Sequence, residues 1–184
     1  MGEVFQDEWL VLEVPKEEHK KQAVAFILEM VTRGQRPHGV GGLDHAETYE
    51  AWLKVWSKNC IRPYYGYESD ERVPHITFFC IRKTDNKLVG MLDIRKHLSK
   101  HIDETFGGHI GYSILPSEQK KGYGMRLVKL AIKYCRDELK LETIRAGCFE
   151  YNIASKRILE RLGMKQIDIN GGIIKSIYFE MKLA

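Results

Sequence analysis

The heptapeptide EQKKGYG at residues 118–124 combines residue types that could bind a phosphate. Two glycines flank a tyrosine, two lysines precede them, and an apolar segment with helical periodicity follows. The first amides of a helix lack an intrahelical acceptor and favour an anion, and glycine permits a close approach. The alternative is a turn with solvated lysines, because neither the P-loop pattern GxxxxGKS/T nor the dinucleotide fingerprint GxGxxG is present.

Other side chains with chemical potential carry weaker signals. The cysteines are far apart and form no CxxC pair, so we expect buried free thiols rather than a disulfide or a zinc site. His97 and His101 have the i, i+4 spacing of ligands on one helical face, but no HExxH pattern or third ligand accompanies them. We therefore expect no metal. The four cysteines are Cys60, Cys80, Cys135 and Cys148.

The composition is typical of a globular protein and narrows the possible partners. With 184 residues, 43% hydrophobic and 29% charged, the chain is expected to form one domain over residues 1–184. We expect a cytoplasmic protein with no membrane partner, because no apolar run approaches the ~20 residues of a membrane span and no leader pattern opens the chain. A net charge of +4 suits an anionic small molecule, and no basic run interleaved with aromatics predicts nucleic-acid binding.

Hydrophobic periodicity predicts the elements that must position the heptapeptide. The order is strand, two helices, three-strand meander, helix, strand, helix and hairpin, which indicates one mixed α/β domain. The heptapeptide lies where the third meander strand gives way to a helix. The predicted strands are 9–14, 76–83, 87–98, 108–116, 143–149, 164–169 and 173–183, and the predicted helices are 16–32, 44–59, 122–139 and 154–162.

Two long connections are expected to wall a binding pocket. Residues 33–43 hold four glycines and a proline, and residues 61–75 form a second loop of a length that is uncommon unless it has a function. Between them, Asp44 and Glu47 give a D-x-x-E capping pattern, which predicts that the second helix begins at Asp44. Acidic residues of the second loop either attract a cationic amine or are merely exposed. They are Glu68, Asp70 and Glu71.

Three motifs in consistent order resemble those of the GCN5-related N-acetyltransferase (GNAT) family. The family's pyrophosphate loop, Q/R-x-x-G-x-G/A, is matched by QKKGYG at residues 119–124. A preceding strand that ends hydrophobic-x-Pro is matched by ILP at 114–116. The later asparagine, followed by a helix and Leu-Gly-Phe, is matched by Asn152 and by LGM at 162–164. The motifs cover roughly residues 108–164, whereas the first 75 residues match in layout only.

The resemblance implies a fold and a co-substrate. The fold would be a single α/β domain with a mixed, mostly antiparallel sheet, a splayed parallel pair formed by strands 108–116 and 143–149, and flanking helices. Acetyl-CoA would lie in the gap, held chiefly by backbone groups, and Gly111 would ease a bulge near the thioester or else permit close packing. The implied cofactor-binding residues are Tyr112, Ser113, Ile114, Gln119, Lys120, Lys121, Gly122, Tyr123, Gly124, Asn152 and Ser155.

The family reaction is direct attack of an amine on the thioester, and the residues that would move protons are less obvious. Where some relatives have a glutamate this chain has Gly108, which leaves its neighbour His109 or the more distant Glu150 as the candidate base. The tyrosine that many relatives use as the thiolate acid is replaced by Leu159. Ser155 is the candidate donor to the thiolate, as the Asn-x-x-Ser form is similar to the ribosomal-protein alanine acetyltransferase branch; the other interpretation is a helix cap.

These features predict an N-acetyltransferase that acts on a small-molecule or peptide amine. Two other functions stay open at this point: an acyl-CoA-binding sensor without catalysis, and a protein-interaction domain without a cofactor. The sensor is favoured by the missing tyrosine and glutamates. A homodimer through the final hairpin is possible, since an exposed strand edge can pair with a second copy.

Overall fold

The computed structural model describes residues 5–59, 75–98, 108–168 and 175–183. Short 3-10 turns lie at Glu17–His19, Leu43–His45 and Pro116–Glu118. The strands are β1 (Leu10–Glu13), β2 (His75–Arg82), β3 (Lys87–Arg95), β4 (Ile110–Ile114), β5 (Thr143–Phe149), β6 (Lys165–Ile167) and β7 (Ser176–Lys182). The helices are α1 (Lys20–Thr32), α2 (Tyr49–Asn59), α3 (Tyr123–Asp137) and α4 (Ile153–Arg161).

The strands form two antiparallel sheets that meet at one corner. Their orders are β1-β2-β3-β4 and β5-β7-β6. The His109 amide donates to the Arg145 carbonyl at 2.8 Å, and the Arg145 amide donates to Nδ1 of His109 at 3.0 Å. Beyond this junction β4 and β5 diverge around a cavity. The predicted fold class, with its splayed strand pair and flanking helices, is confirmed.

Two apolar clusters hold these layers in place. One contains Leu92 of β3 and the inward stripe of α3, including the fully buried Leu127 and Val128. The other contains Phe26 of α1 and Trp52 of α2, on the opposite side of the sheet. Because β3 is buried on both faces, its sequence is an almost continuous apolar run. Each large side chain buried in this way stabilises the fold by ~1.5–3 kcal/mol.

The second helix begins later than its capping pattern predicts. Asp44 lies in a 3-10 turn, and the extended conformation of Ala46 separates this turn from α2. The Thr48 hydroxyl accepts the Ala51 amide at 3.1 Å, so Thr48 caps the helix instead. The prediction that Asp44 starts α2 is therefore wrong, because two competing capping residues lie four positions apart and packing selects the second.

Several sequence expectations lie outside the described residues. They concern Cys60, His101, the loop at 61–74 with its three acidic residues, and the connection between β6 and β7. Cys80, Cys135 and Cys148 are free thiols; the first two are buried and the third is partly exposed.

Within the described part of the chain, no helix combines the length and apolarity needed to cross a bilayer.

Candidate functional site

The gap between β4 and β5 widens into a cavity of about 240 Å³. Its walls are the segment 36–45, residues 110–112 of β4, residues 147–149 of β5 and the start of α4. Loop 33–43 thus walls the cavity, as its composition predicted. The cavity is bounded by backbone-rich strand edges on one side and by side chains of the loop on the other.

The loop is fastened to β4 at one residue. Oγ of Ser113 accepts the His38 amide at 2.7 Å and donates to the His38 carbonyl at 2.8 Å. The next residue, Gly39, has φ +69° and lies so close to β4 that an added Cβ would overlap the carbonyl of Gly111. Nε1 of Trp52 donates to the Gly41 carbonyl at 2.8 Å and holds the loop from its other side.

The two expectations for Gly111 were a β-bulge and close packing. The pairing of β4 with β3 runs without a register shift from Ile114 to Ile110, so the predicted bulge is absent from this described strand. The bulge expectation is wrong. A Cβ on Gly111 would lie 3.4 Å from the backbone nitrogen of Gly39, which is an ordinary contact, so the close approach of the loop to β4 requires the glycine at position 39 and not the one at position 111.

The ladder between β3 and β4 decides which backbone groups face the gap. The Leu115 amide donates to Val89, and the His109 carbonyl accepts from Arg95. Because backbone groups alternate in direction along an antiparallel strand, Ser113 also pairs with β3. Tyr112 and Ile114 direct their backbone groups to the opposite edge. The expectation that Ser113 contacts the cofactor through its backbone is therefore corrected, since both its backbone and its hydroxyl are engaged elsewhere.

A hydroxyl pair lies at the start of α4. The Tyr112 hydroxyl and Oγ of Ser155 are 2.8 Å apart, and Asn152 caps the helix by accepting the Ser155 amide at 3.1 Å. Burial raises the pKa of Tyr112 to about 12 although the Ser155 hydrogen bond opposes the rise. Burial likewise raises the pKa of the neighbouring Cys148 thiol, again against a hydrogen bond from Ser155. At neutral pH the Tyr112 hydroxyl therefore carries its proton, as the Ser155 hydroxyl does, and a protonated pair suits a proton donor.

Neither predicted base belongs to the described cavity lining. Nδ1 of His109 accepts the Arg145 amide where β4 meets β5, and the ring is buried there. Glu150 is exposed in the turn after β5. His109 therefore has a structural partner, and Glu150 faces solvent, so the structure argues against both as the base. Leu159, in the position of the missing tyrosine, is fully buried in the core.

The predicted phosphate turn has the backbone of an anion nest. Lys120 has φ +62° and Gly122 has φ +86°, both left-handed, and α3 begins directly afterwards. Alternating conformations of this kind point successive amides to one side, next to the positive end of the helix dipole. Gln119 fixes the turn, because its Nε2 donates to the Ile114 carbonyl at 3.1 Å and to Gln35 at 2.7 Å.

Several side chains of this turn have structural partners. Nζ of Lys121 lies 2.9 Å from Glu118, and the buried Tyr123 bonds to Arg82 at 2.9 Å. A Cβ on Gly124 would come within 2.9 Å of the tip of Ile158 on α4. Gly124 is thus a packing glycine, and the prediction that its missing side chain makes room for phosphate is not supported. The exposed Lys120 and the amides are the groups that stay available.

Sequence reasoning missed the charged side chains of the cavity. His38 and Arg36 come from the loop, and Asp44 and His45 form a 3.4 Å pair at its end. His38 is exposed overall, yet the groups around its ring remove enough water to lower its pKa, and the charge of Arg36 adds to this. The glycine content of the loop was the only sequence signal, and it does not single out a residue.

One group with possible metal-binding geometry lies in the described residues. Glu13, Glu18 and His19 bring their ligand atoms within 4.8 Å of one another. Nζ of Lys16 lies 3.0 Å from Glu13 and 3.6 Å from Glu18, so an ammonium group already balances these carboxylates.

The chain matches the sequence model of the acetyltransferase (GNAT) domain over residues 10–165. Among curated proteins it is 30% identical over 95 residues to the probable N-acetyltransferase YjcK of Bacillus subtilis. That match covers 48% of this chain and 51% of YjcK, so it spans about half the length of the relative.

Two solved structures share the fold over nearly the whole length. RimL, a ribosomal L7/L12 alpha-N-protein acetyltransferase in complex with coenzyme A, has a TM-score of 0.66 and 18% identity, with 98% of each chain covered. The spermidine/spermine N-acetyltransferase SpeG from Vibrio cholerae has a TM-score of 0.59 and 15% identity, with 96% of this chain and 95% of SpeG covered. At these identities the likeness concerns the fold alone.

Proposed function

The chain belongs to the acetyltransferase (GNAT) domain family, and we propose that it transfers an acetyl group from acetyl-CoA to the amine of an acceptor. One observation supports this most: the cavity between the diverging strands has a protonated hydroxyl pair on its wall. The anion nest follows β4 directly at the start of α3. When bound, acetyl-CoA supplies an activated thioester carbonyl.

The donor side would bind the cofactor largely through backbone groups. The amides around Gly122, at the positive end of α3, are the proposed pyrophosphate contacts. The free edge of β4 at Tyr112 and Ile114 is the proposed contact for the pantetheine arm, although the Ile114 carbonyl is shared with Gln119. Asn152 would hold Ser155 in place, because its Oδ1 caps α4, and since it also lines the cavity its side-chain amide is a further proposed contact for the cofactor.

The hydroxyl pair would protonate the leaving group. As the acceptor nitrogen bonds to the acetyl carbon, the carbon–sulfur bond breaks and its electron pair stays on sulfur. Ser155 donates its proton to that sulfur and regains one from Tyr112, 2.8 Å away, which in turn is reprotonated from solvent. In this way Tyr112 and Ser155 replace the tyrosine whose position Leu159 occupies.

We place the proton acceptor for the attacking amine at His38. It lines the cavity, its backbone is fixed at both its amide and its carbonyl, and its lowered pKa keeps the ring neutral at physiological pH. Of the other titratable groups in the described lining, Tyr112 and Cys148 have raised pKa values, and Asp44 pairs with His45. His38 is therefore the described group best suited to take the proton.

The acceptor is proposed to be a peptide N-terminus. Arg36 and Arg95 line the described part of the cavity against the single carboxylate of Asp44, which disfavours a polyamine. Peptide carbonyls can accept hydrogen bonds from arginine, so a peptide fits this wall better.

Two further expectations stay predictions. Cytoplasmic location is one, and a homodimer through the final hairpin is the other. β6 is an outer strand of its sheet and its first two residues are exposed, so it offers an edge for pairing. Size-exclusion chromatography with light scattering would test the dimer.

The function is tested by thiol release from acetyl-CoA, with alanine- and serine-initiated hexapeptides and with spermidine as acceptors. We expect coenzyme A to raise the melting temperature and the peptides to stimulate thiol release. Binding of acetyl-CoA without turnover for every acceptor would favour the sensor function. A melting temperature that coenzyme A leaves unchanged would contradict both and favour an interaction domain.

A further inference from the structure

We propose that Glu118 is the positioning residue of the pyrophosphate turn. By anchoring Arg82, Lys87 and Lys121, its buried carboxylate would hold the amides of residues 120–124 in their anion-binding arrangement. This inference rests on the proposed function, because it concerns the site assigned there to coenzyme A.

Glu118 is saturated with cationic partners. Its Oε1 lies 2.6 Å from Nζ of Lys87, and its Oε2 lies 2.8 Å from Arg82 and 2.9 Å from Lys121. The residue is only 4% exposed. Burial alone would raise the pKa of this carboxyl, but the hydrogen bonds from Lys121, Lys87 and Arg82 outweigh it and lower the pKa to about 2. The carboxylate is therefore ionised at every pH at which the protein is expected to work.

The partners connect the turn to a rigid part of the sheet. Arg82 and Lys87 are register partners at the end of the β2–β3 hairpin. Arg82 is itself held by two hydrogen bonds to Asp85, at 2.8 and 2.7 Å, and it also bonds to the Tyr123 hydroxyl. Glu118 thus joins the hairpin to both sides of the turn. Its own backbone precedes Lys120, and its partner Arg82 bonds to Tyr123, which follows Gly122.

The left-handed backbone makes such an anchor useful. Lys120 is a non-glycine residue at φ +62°, a left-handed conformation that is unfavourable for a residue with a Cβ. A turn with this conformation is retained when its surroundings hold it. Lys121 is ion-paired with Glu118, so its charge mainly stabilises the turn and contributes less to binding a phosphate.

Positioning and electrostatics predict opposite signs for one substitution. Glu118→Gln removes a negative charge close to the phosphates and releases Lys121, so a purely electrostatic role predicts tighter binding of coenzyme A. Loss of the anchor predicts weaker binding, because the amides no longer converge. The sign of the change in Kd therefore separates the two roles.

The experiment measures the Kd of coenzyme A by isothermal titration calorimetry, at a temperature at which circular dichroism shows both proteins fully folded. We expect Glu118→Gln to raise Kd at least tenfold and to speed amide hydrogen exchange in residues 120–125 of the free protein. Asp137→Asn is the matched control, since it removes the same charge from an ion-paired carboxylate at the other end of α3, ~21 Å away. Its Kd should stay within twofold of wild type.

Glu118→Asp serves if the glutamine variant does not fold. It keeps the charge but shortens the side chain by one methylene. A positioning role therefore predicts a higher Kd of coenzyme A, and a purely electrostatic role predicts an unchanged Kd. Unchanged or tighter binding in the folded glutamine variant, or unchanged binding in the aspartate variant, would overturn the proposal. If wild-type protein binds no coenzyme A, the proposed function fails and this inference fails with it; if wild type binds and the variants bind equally, only this inference fails.

Discussion

The two sides of the cavity are built on different principles. On the proposed donor side, the turn at 119–124 and the edge of β4 present backbone groups, and their side chains are largely engaged with the protein itself. On the proposed acceptor side, the segment 36–45 presents side chains to the cavity, among them His38 and Asp44. Backbone groups suit a ligand that never changes, whereas side chains can be exchanged without altering the fold.

The first prediction tests the backbone character of the donor side and has the largest expected effect. Gly122→Val should weaken coenzyme A binding by ~100-fold, because two hydrogen bonds to charged phosphate would be lost at ~1.5 kcal/mol each. The valine would also be strained at φ +86°. Calorimetry gives the Kd.

A matched control separates strain from the loss of the site. Gly163 follows α4 at φ +83° and, like Gly122, has open space where a Cβ would be. Gly163→Val should lower the melting temperature as much as Gly122→Val but leave the Kd of coenzyme A within threefold of wild type. Equal losses of affinity in both variants would mean that strain, and not the nest, explains the result.

The difference between backbone groups on one side of the cavity and loop side chains on the other also explains what could be predicted from the sequence. Gln119 and Gly122 were identifiable because a helix start and a left-handed turn are local and restrict residue type. His38 was not, because its place depends on Ser113, 75 residues away, and on the close approach of Gly39 to β4. His109 misled for the same reason: its position in sequence was right, but the junction with Arg145 determines where its ring lies.

The second prediction concerns the acceptor side through His38→Gln. We expect kcat/KM to fall by ~100-fold at pH 7.5 while the Kd of acetyl-CoA stays unchanged, since a general base is removed without a binding contact. His45→Gln is the control, because His45 also lines the cavity but pairs with Asp44. It should retain most of the activity.

The pH profile sharpens the assignment of His38. Its pKa is lowered, so the neutral, accepting form dominates above the usual histidine value and is lost as pH falls below it. Wild type should therefore show an acid limb below pH ~6.5 that His38→Gln lacks. If the acid limb moves when the acceptor amine is exchanged, it reports the pKa of the amine rather than that of His38. An acid limb that persists in His38→Gln would contradict the assignment.

The third prediction concerns the hydroxyl pair, where the two sides meet. Ser155→Ala should lower kcat by ~30-fold, the loss of about 2 kcal/mol that one hydrogen bond to a charged group supplies. Tyr112→Phe should have a smaller effect, because solvent can reprotonate Ser155. Since burial raises the pKa of Tyr112 to about 12, neither hydroxyl should add a basic limb below pH 9. An unchanged kcat in Ser155→Ala would exclude it as the donor.

The smallest effect is expected at Gly124, where the family pattern and the packing give different reasons for a glycine. If phosphate needed the space, Gly124→Ala would weaken coenzyme A binding as strongly as a change at Gly122. The structure instead places the tip of Ile158 2.9 Å from the added Cβ, and a flexible side chain can shift. We therefore expect a Kd within twofold of wild type and a stability change of at most ~1 kcal/mol, which combines the clash with the better helix propensity of alanine.

Ile158→Val removes the clashing methyl, so the double variant should be more stable than the sum of the single changes. A large loss of affinity in Gly124→Ala that Ile158→Val does not relieve would return this glycine to the donor site.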